Sequence, residues 1–373
     1  MTEIGPVPWA CSGPVLAPPD LRIGRRLGLQ IFQVAVNWPA LQPKGRGFRR
    51  DPALLDPYDR VVDHLLEQEL EPQFSLHGGE LPTSLQLDGG WTRRDNAKRF
   101  VDFAEGMSRR LGDRVERWLT LQDLTAIASW EGGELHSADG PGLRYLKACH
   151  HLLLAHAWAS KIIAENVHSP HIDVEFRCPE LGPEADRDED PSHHRWILDP
   201  LSGQGYPEEG LHDRRDQGVL SSLVPSFAER GDLQLIGSAL GGIRLIVDWP
   251  WRAAHYGPFE RVLHGLSERP LSLHLRQGLG ASQLAHPAND EARVELLRDQ
   301  LESLASASSK GLNLQQIQLG PLLDEEQWAD GARPQPGLVW IDPYTRRRWP
   351  KASGLFVQRF VVEGHVARTD LGH

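Results

Sequence analysis

Three side chains that could transfer protons lie just after short, largely apolar segments of the chain. Asp123 follows the segment 118–121, and His77 and Glu80 follow the segment 71–76. A carboxylate or imidazole can act as a general acid or base when its position and pKa suit the reaction. We therefore predict proton transfer by Asp123, with His77 or Glu80 as its partner. For His77, a purely structural hydrogen bond is an equally good interpretation.

Two arginines also follow apolar segments. Arg177 ends the segment 172–177 and Arg276 ends the segment 271–276. Two guanidinium groups at one edge of a fold can bind a carboxylate or phosphate. A salt bridge to Asp123 is an equally good interpretation, and the sequence leaves both open.

The segments that position these residues alternate between strands and helices. Strands are predicted from runs of aliphatic, β-branched and aromatic residues, and helices from apolar residues at helical spacing. The predicted strands are 6–11, 29–38, 71–76, 118–121, 172–177, 233–240, 271–276 and 314–319, and the predicted helices include 54–70, 95–111, 141–166 and 294–311. Eight strands alternating with helices favour an α/β fold, a single (β/α)8 TIM barrel over residues 1–373. The side chains that follow the strands then meet at the C-terminal ends of the strands, the barrel mouth.

Composition and charge narrow the range of functions. The chain has 373 residues, of which 40% are hydrophobic and 24% charged, as in ordinary globular proteins. A net charge of −11 argues against nucleic acid or an anionic membrane as the main partner. There is no membrane-spanning apolar run and no signal-peptide pattern, and three separate cysteines suggest no disulfide framework. We expect a cytoplasmic protein that binds a small-molecule ligand in the barrel mouth. The sequence leaves its oligomeric state open.

No metal and no other cofactor is predicted. The acidic segment 186–190 resembles the start of a calcium loop, but Pro191 and Ile197 replace the glycine and glutamate that such a loop needs. His150, His151 and His156 do not have the i, i+4 spacing of a helical zinc site. Helix packing and surface positions are the preferred interpretations of these histidines.

Several segments in the same order along the chain resemble glycoside hydrolase family 1, the β-glucosidase family. The matching segments are 37–43, 58–63, 89–91, 118–124, 150–156, 196–201, 205–207 and 322–329. Each match alone is weak, but together they extend from about residue 9 to residue 360. The resemblance implies a (β/α)8 barrel whose relatives hydrolyse β-glucosides with two glutamates, one a general acid/base and one a nucleophile.

The positions that the resemblance makes catalytic are altered in this chain. The acid/base glutamate corresponds to Asp123, and the asparagine before it corresponds to Gln122. The nucleophile corresponds to Gln277, whose amide cannot form a glycosyl-enzyme ester. The arginine of the second strand, which pairs with the nucleophile in the family, corresponds to Gln33.

The sugar-binding positions are altered as well. Gly78 and Gly79 stand where the family has histidine and tryptophan, Gly320 stands where it has another tryptophan, and Gln327 replaces a glutamate. A wider and less polar cavity follows from these replacements. The residues expected to contact a ligand at the mouth are Gln122, Gln277, Arg276, Arg177, Gln33, Gln327, Trp328 and Trp9.

Three hypotheses for the function remain. The preferred one is a repurposed barrel in which Asp123, with His77 or Glu80, carries out acid–base cyclisation, dehydration or isomerisation of a bulky, less polar molecule such as a natural-product intermediate. The second is a non-catalytic pseudoglycosidase that binds a ligand or a partner protein. The third is an atypical glycoside hydrolase that combines Asp123 with another carboxylate, such as Glu80 or Glu175.

Overall fold

The computed structural model describes residues 7–13, 18–48, 51–132, 142–177, 195–248, 269–276, 290–308, 314–324, 337–342 and 344–363. Eight parallel strands form a closed barrel in chain order. They are β1 (Trp9–Gly13), β2 (Ile31–Ala35), β3 (Glu71–Ser75), β4 (Arg117–Leu119), β5 (His171–Arg177), β6 (Gly242–Asp248), β7 (Leu271–Arg276) and β8 (Leu314–Pro321). Helices surround this barrel, so the predicted (β/α)8 fold class is confirmed.

Twelve α-helices lie within the described residues. They are α1 (Pro18–Arg26), α2 (Trp38–Leu41), α3 (Pro52–Glu67), α4 (Thr83–Leu87), α5 (Arg94–Leu111), α6 (Leu124–Gly132), α7 (Leu143–Asn166), α8 (Arg195–Leu201), α9 (Glu208–Asp216), α10 (Asp232–Gly237), α11 (Glu291–Ser308) and α12 (Ala352–Glu363). A short antiparallel pair, β9 (Val339–Ile341) and β10 (Arg348–Pro350), lies near the C-terminus. Within the described ranges, no helix is both long enough and apolar enough to cross a membrane.

The helices pack on the outer face of the barrel through apolar stripes. In α5, Phe100, Phe103, Met107 and Leu111 recur at intervals of three or four residues, and all four are buried. Trp38 stacks on Phe103 with a ring-centroid distance of 5.5 Å. This stripe holds α5 against its neighbours, as the apolar periodicity predicted.

One predicted strand is wrong. Residues 233–240 do not form a strand, because helix α10 (Asp232–Gly237) occupies most of that range, and the sixth strand is Gly242–Asp248. Gly231, with a φ of 93°, precedes the helix, and Asp232 places a carboxylate in its first turn, where the helix dipole favours it. The charged Arg244 interrupts the apolar run of β6, which hides it from a search for continuous apolar segments.

The other seven predicted strands each overlap an observed strand, and the prediction 271–276 coincides with β7. The prediction 29–38 was too long, because the chain leaves the barrel after Ala35 and α2 begins at Trp38. There Asn37 caps the new helix, and its Oδ1 accepts a hydrogen bond of 2.9 Å from the Ala40 amide. The predicted end of a helix near Gly311 lies outside the described residues.

The interior of the barrel is polar. Gln316 on β8 donates a hydrogen bond of 3.1 Å to Gln73 on β3, and Arg244 on β6 donates one of 2.6 Å to Gln33 on β2. These strands are not neighbours, so the bonds must cross the interior. Parallel barrels usually fill this space with branched apolar side chains. A polar interior therefore distinguishes this barrel and places charged groups directly beneath the mouth.

Candidate active site

Asp123 lies between β4 and α6 and caps the helix. Its Oδ1 accepts hydrogen bonds from the Thr125 hydroxyl (2.7 Å) and from the Ala126 amide (3.1 Å). Its φ of 53° lies in the left-handed region, which non-glycine residues rarely adopt. Strained backbone of this kind often occurs at functional sites. Here the strain places the carboxylate at the mouth.

Both predicted arginines converge on the other oxygen of the same carboxylate. Arg177 Nη2 lies 2.9 Å from Asp123 Oδ2, and Arg276 Nη1 lies 3.5 Å from the same atom. Arg177 ends β5 and Arg276 ends β7, so three strand ends supply this cluster. Of the two interpretations that the sequence left open, the salt bridge to Asp123 is the observed one.

Arg177 and the helix cap lower the pKa of Asp123. Burial raises the pKa of its carboxyl group, but the charge of Arg177 and the hydrogen bonds from Thr125, Arg177 and Ala126 outweigh burial, so that the pKa falls below its ordinary value. A general acid at neutral pH needs a pKa near the working pH. The geometry therefore favours an ionised Asp123 at neutral pH and argues against proton donation by it.

His77 does not lie open at the mouth. Only 1% of its surface is exposed, and its ring packs against Trp38, Trp91 and Phe100. Its Nε2 accepts a hydrogen bond of 3.2 Å from Trp91 Nε1, and burial lowers the pKa of His77 to about 3. Because this nitrogen is already occupied and protonation is disfavoured, the structural interpretation of His77 replaces the predicted catalytic one.

Three further predicted site residues have different environments. Glu80 is exposed in the loop after β3. Gln122 lies beside Asp123 in the chain, and its Oε1 accepts a hydrogen bond of 3.2 Å from the Ser75 hydroxyl at the end of β3. Gln33 is buried in the barrel interior, where it accepts the hydrogen bond from Arg244. Gln122 therefore belongs to the mouth, and Gln33 lies beneath it.

The prediction that Trp9 contacts a ligand at the mouth is wrong. Trp9 is the first residue of β1, at the end of the strand opposite the mouth. Its ring packs edge-to-face on Phe360 of α12, with a centroid distance of 5.5 Å. An aromatic residue in a barrel strand can face either the interior or the surrounding helices. Which side it faces depends on the strand register, and the sequence alone does not reveal that register.

Sequence reasoning missed a cluster of three buried residues beneath the mouth. This interior cluster consists of Glu175 on β5, Arg244 on β6 and His274 on β7, of which only Glu175 was considered. His274 Nδ1 lies 3.0 Å from Glu175 Oε2, and Arg244 Nη1 lies 3.7 Å from the same oxygen. A signal was present, because β5 and β7 alternate apolar and polar residues, whereas strands buried on both faces are usually continuously apolar.

The three histidines of α7 pack within the protein, as expected. His150 Nε2 lies 2.9 Å from Asp232 Oδ2, His151 Nδ1 lies 2.9 Å from the Trp91 carbonyl oxygen, and His156 Nδ1 lies 2.8 Å from the Thr120 hydroxyl. These bonds join α7 to β4, α10 and the turn before α5. The acidic segment 186–190 lies outside the described residues.

Comparison with known proteins identifies the family of this barrel. The family model described as Glycosyl hydrolase family 1 matches residues 15–240 and 272–365. The chain belongs to glycosyl hydrolase family 1. The resemblance inferred from the sequence segments is confirmed.

Relatives within family 1 cover most of the chain. Thermostable beta-glucosidase B from Thermobispora bispora is 30% identical over 386 residues, which are 92% of this chain and 78% of the relative. Beta-glucosidase A from Thermotoga maritima is 26% identical over 392 residues, 92% of this chain and 84% of the relative. A solved family 1 β-glucosidase from Thermotoga maritima superposes with a TM-score of 0.78 at 21% identity, covering 98% of this chain and 99% of that one. This structure supports the fold.

Three of the predicted site residues of this family 1 barrel, Gln277, Gln327 and Trp328, lie outside the described residues. Arg276 is the last described residue of β7, and its Nη1 lies 3.5 Å from Asp123 Oδ2. The end of the seventh strand therefore brings a cation to Asp123.

The glycines after β3 make room for an indole at the mouth of the family 1 barrel. A Cβ atom at Gly79 would lie 2.0 Å from Trp130 Cζ3, and Gly79 has a φ of 124°. Only glycine satisfies both constraints. Trp130 in α6 is 69% exposed, so one face of its ring covers the Gly79 backbone while much of the ring meets solvent. The two glycines alone did not indicate that Trp130 would pack against them.

Proposed function

We propose that this family 1 barrel does not hydrolyse β-glucosides by the retaining mechanism, and that its mouth binds a bulkier and less polar small molecule. The observation that carries the proposal is the position of Asp123 between Arg177 and Arg276, at 2.9 Å and 3.5 Å. A retaining glycosidase needs two carboxyl groups about 5–5.5 Å apart, one of them protonated. In this chain Asp123 is an anion held by cations.

The electrostatics of this cluster oppose both halves of the retaining mechanism. A general acid must hold a proton at neutral pH, whereas the pKa of Asp123 lies below its ordinary value. The nucleophile must be an anion that can attack the sugar, whereas Gln277, the residue that the resemblance places there, is a neutral amide. Loss of both roles supports a barrel that has left β-glucoside hydrolysis.

The surface around Trp130 supports a less polar ligand. An exposed indole offers a broad, flat apolar face with one hydrogen-bond donor, and Trp130 lies over Gly79 at the loop that follows β3. In the family resemblance this loop carries sugar-binding imidazole and indole groups, which are glycines here. A ligand with an aromatic or otherwise flat apolar portion fits such a surface better than a free sugar ring.

The atypical-hydrolase hypothesis has less support from the geometry. Glu80 is exposed in its loop, and Glu175 is buried with one oxygen 3.0 Å from His274 Nδ1. Binding without catalysis and acid–base catalysis on a new ligand both agree with the cluster at the mouth.

The absence of retaining hydrolysis can be tested with a fluorinated mechanism-based glycosyl inactivator. We expect intact-protein mass spectrometry to show no covalent adduct, and nitrophenyl β-glucoside and β-galactoside to be turned over no faster than background. Beta-glucosidase A from Thermotoga maritima, treated in parallel, serves as the positive control. A stable single addition on any carboxylate of this chain would overturn the proposal.

Ligand preference can be tested with two probes, one aromatic and one a sugar mimic. We expect anilinonaphthalene sulfonate, which has apolar aromatic rings and one sulfonate, to bind with a rise in fluorescence, and deoxynojirimycin, the sugar mimic, to leave the melting temperature unchanged. Trp130→Ala should weaken anilinonaphthalene sulfonate binding about tenfold, whereas Trp349→Ala, at a tryptophan that is 51% exposed in β10, should not. Equal effects of the two substitutions would contradict a ligand surface at Trp130.

A further inference from the structure

We propose that His274 is the general base of this barrel, oriented by Glu175, and that it removes a proton from a carbon next to a carbonyl group of the bound molecule. The inference rests on the proposed function, because it takes the same ligand in the same mouth. In this inference His274, and not Asp123 or His77, transfers the proton. The reaction is an isomerisation.

The Glu175–His274 contact determines which nitrogen of the imidazole can act as a base. Nδ1 lies 3.0 Å from Glu175 Oε2, and a carboxylate can only accept a hydrogen bond, so Nδ1 carries the proton. Nε2 then presents a lone pair. The same logic orients the histidine of a catalytic triad, in which a carboxylate fixes the tautomer of the base.

The interior cluster contains four buried polar atoms that have no hydrogen-bond partner among the described residues. They are His274 Nε2, Glu175 Oε1, and Nε and Nη2 of Arg244. All three residues are more than nine-tenths buried. Native proteins leave few buried polar atoms unsatisfied, and each such atom requires an explanation. Of these atoms, we assign the unpaired Nε2 of His274 to the ligand, because a base must keep a free lone pair toward the group that it deprotonates.

His274 lies on β7, two residues before Arg276. Arg276, at the mouth, is the next residue of β7 on the same side, about 6.6 Å further along the strand. We therefore place a carbonyl oxygen of the ligand near the Arg276–Arg177 pair and the adjacent acidic C–H bond near His274 Nε2. The exposed indole of Trp130 covers the apolar remainder of such a molecule.

The proposed step needs no other reactant. His274 Nε2 takes the proton from the α-carbon, the C–H electron pair forms a carbon–carbon double bond, and the carbonyl π pair moves to oxygen as an enolate. The guanidinium groups of Arg276 and Arg177 stabilise the negative oxygen. If the ligand is a β,γ-unsaturated carbonyl compound, this enolate is a conjugated dienolate, and the protonated His274 returns the proton to the γ-carbon. The product is the α,β-unsaturated isomer, and the base is regenerated.

We assign Arg244 a positioning role next to Glu175 and His274. Its Nη1 donates to Gln33 and lies 3.7 Å from Glu175 Oε2, and its Nη2 lies 3.7 Å from Asp173 Oδ2. The positive charge attracts both carboxylates and keeps Glu175 facing His274. The charged groups around the imidazole are thus Glu175 and Asp173 from β5, Arg244 from β6 and Arg276 from its own strand.

The base can be tested without the natural substrate by using 5-nitrobenzisoxazole, a flat molecule that reports on general bases. A base removes its C3 proton, the C–H electron pair completes a nitrile, and the N–O bond breaks to release a coloured nitrophenolate. We expect His274→Gln to lower the protein-catalysed rate roughly a hundredfold. His168→Gln, the same change at an exposed histidine, should leave the rate unchanged. Equal rates in the wild type and in His274→Gln would overturn the inference.

The tautomer can be tested independently by long-range ¹H–¹⁵N correlation spectra of histidine-labelled protein. We expect the signal that disappears in His274→Gln to show Nδ1 protonated and Nε2 unprotonated. Glu175→Gln should mix the two tautomers and lower the rate on 5-nitrobenzisoxazole, an effect that a merely structural role for Glu175 would not produce. A wild-type His274 protonated on Nε2 would overturn the inference whatever the rates of the variants.

The outcomes for His274 are separable from those for the proposed function. Turnover of nitrophenyl β-glucoside, or an adduct with the fluorinated inactivator, would refute the proposed function. Failure to open 5-nitrobenzisoxazole, together with absence of such turnover, would refute the base alone and leave a ligand-binding barrel.

Discussion

Arg244 donates a hydrogen bond of 2.6 Å to Gln33 Oε1 across the interior of the barrel, from β6 to β2. In the family resemblance the β2 position carries an arginine, so in this chain the buried cation lies on a different strand. The resemblance also places Gln277, a neutral amide, where the family has its nucleophile. The Arg244 cation lies 3.7 Å from Glu175, a carboxylate on the neighbouring strand.

Restoring the family arginine at position 33 should destabilise the protein. Gln33→Arg would place a second guanidinium against Arg244 in the buried interior, and a buried charge without a compensating partner costs about 3–5 kcal/mol. Gln33→Met is the matched control, because it removes the acceptor without adding charge and should cost about 1–3 kcal/mol. The free energy of unfolding in urea measures both. A Gln33→Arg variant no less stable than Gln33→Met would contradict the opposed-charge interpretation.

Asp123→Asn should destabilise the protein at neutral pH and much less in acid. The substitution keeps an oxygen for the helix cap but removes the charge that pairs with Arg177 and Arg276, which should cost about 1–3 kcal/mol, between the values for exposed and buried ion pairs. Because the pKa of Asp123 is lowered in the folded protein, its contribution is complete above the unfolded value near 4 and disappears as the pH falls through the folded value.

Urea unfolding of the wild type and Asp123→Asn at pH 6 and at pH 3 measures this difference. Asp88→Asn, at an exposed aspartate, is the control and should change stability little at either pH. A difference between wild type and Asp123→Asn that stays constant or grows in acid would contradict the ionised state assigned to Asp123.

Restoring both catalytic glutamates should not restore β-glucosidase activity. In Asp123→Glu/Gln277→Glu, Arg276 remains beside the acid/base position, and Gly78 and Gly79 still lack the groups that orient a sugar. Positioning contributes about 7–11 kcal/mol to many enzymatic rates. We expect hydrolysis of nitrophenyl β-glucoside near background, with Thermotoga maritima beta-glucosidase A as the reference. Recovery to within a hundredfold of that enzyme would show that the sugar site is intact.

Gly79→Ala should perturb the Trp130 surface specifically. The new Cβ meets the indole at 2.0 Å and is strained at a φ of 124°, so we expect a loss of roughly 3 kcal/mol or more in the free energy of unfolding. Gly47→Ala, at a φ of 71° with no atom within 4 Å, carries only the backbone strain and should cost about 1 kcal/mol.

A double-mutant cycle isolates the contact between the two residues. If the indole is the obstacle, Gly79→Ala/Trp130→Ala should be more stable than the sum of the single effects predicts, by about 1 kcal/mol or more. Additive effects would show that Trp130 rotates away without cost and does not form a fixed surface over Gly79.

The sequence by itself determined most of the barrel. The four predicted outer helices and seven of the eight strands are specified by the local spacing of apolar residues, which is visible in a window of ten to twenty residues. The prediction missed β6 for a physical reason. Arg244 interrupts the apolar run of this segment, so its sequence does not resemble a buried strand, and only the structure shows that Arg244 faces the interior and bonds to Gln33.

For the site, the sequence identified which polar residues end strands, and parallel topology then guaranteed that Asp123, Arg177 and Arg276 share the mouth. Only the tertiary structure decided their chemistry, because protonation depends on distances of 3–4 Å between residues far apart in the chain. Glu175 and His274 are 99 positions apart and meet at 3.0 Å solely because the closed barrel aligns β5 and β7 on one interior. No local pattern encodes that contact, since it is set by the strand register and the closure of the sheet.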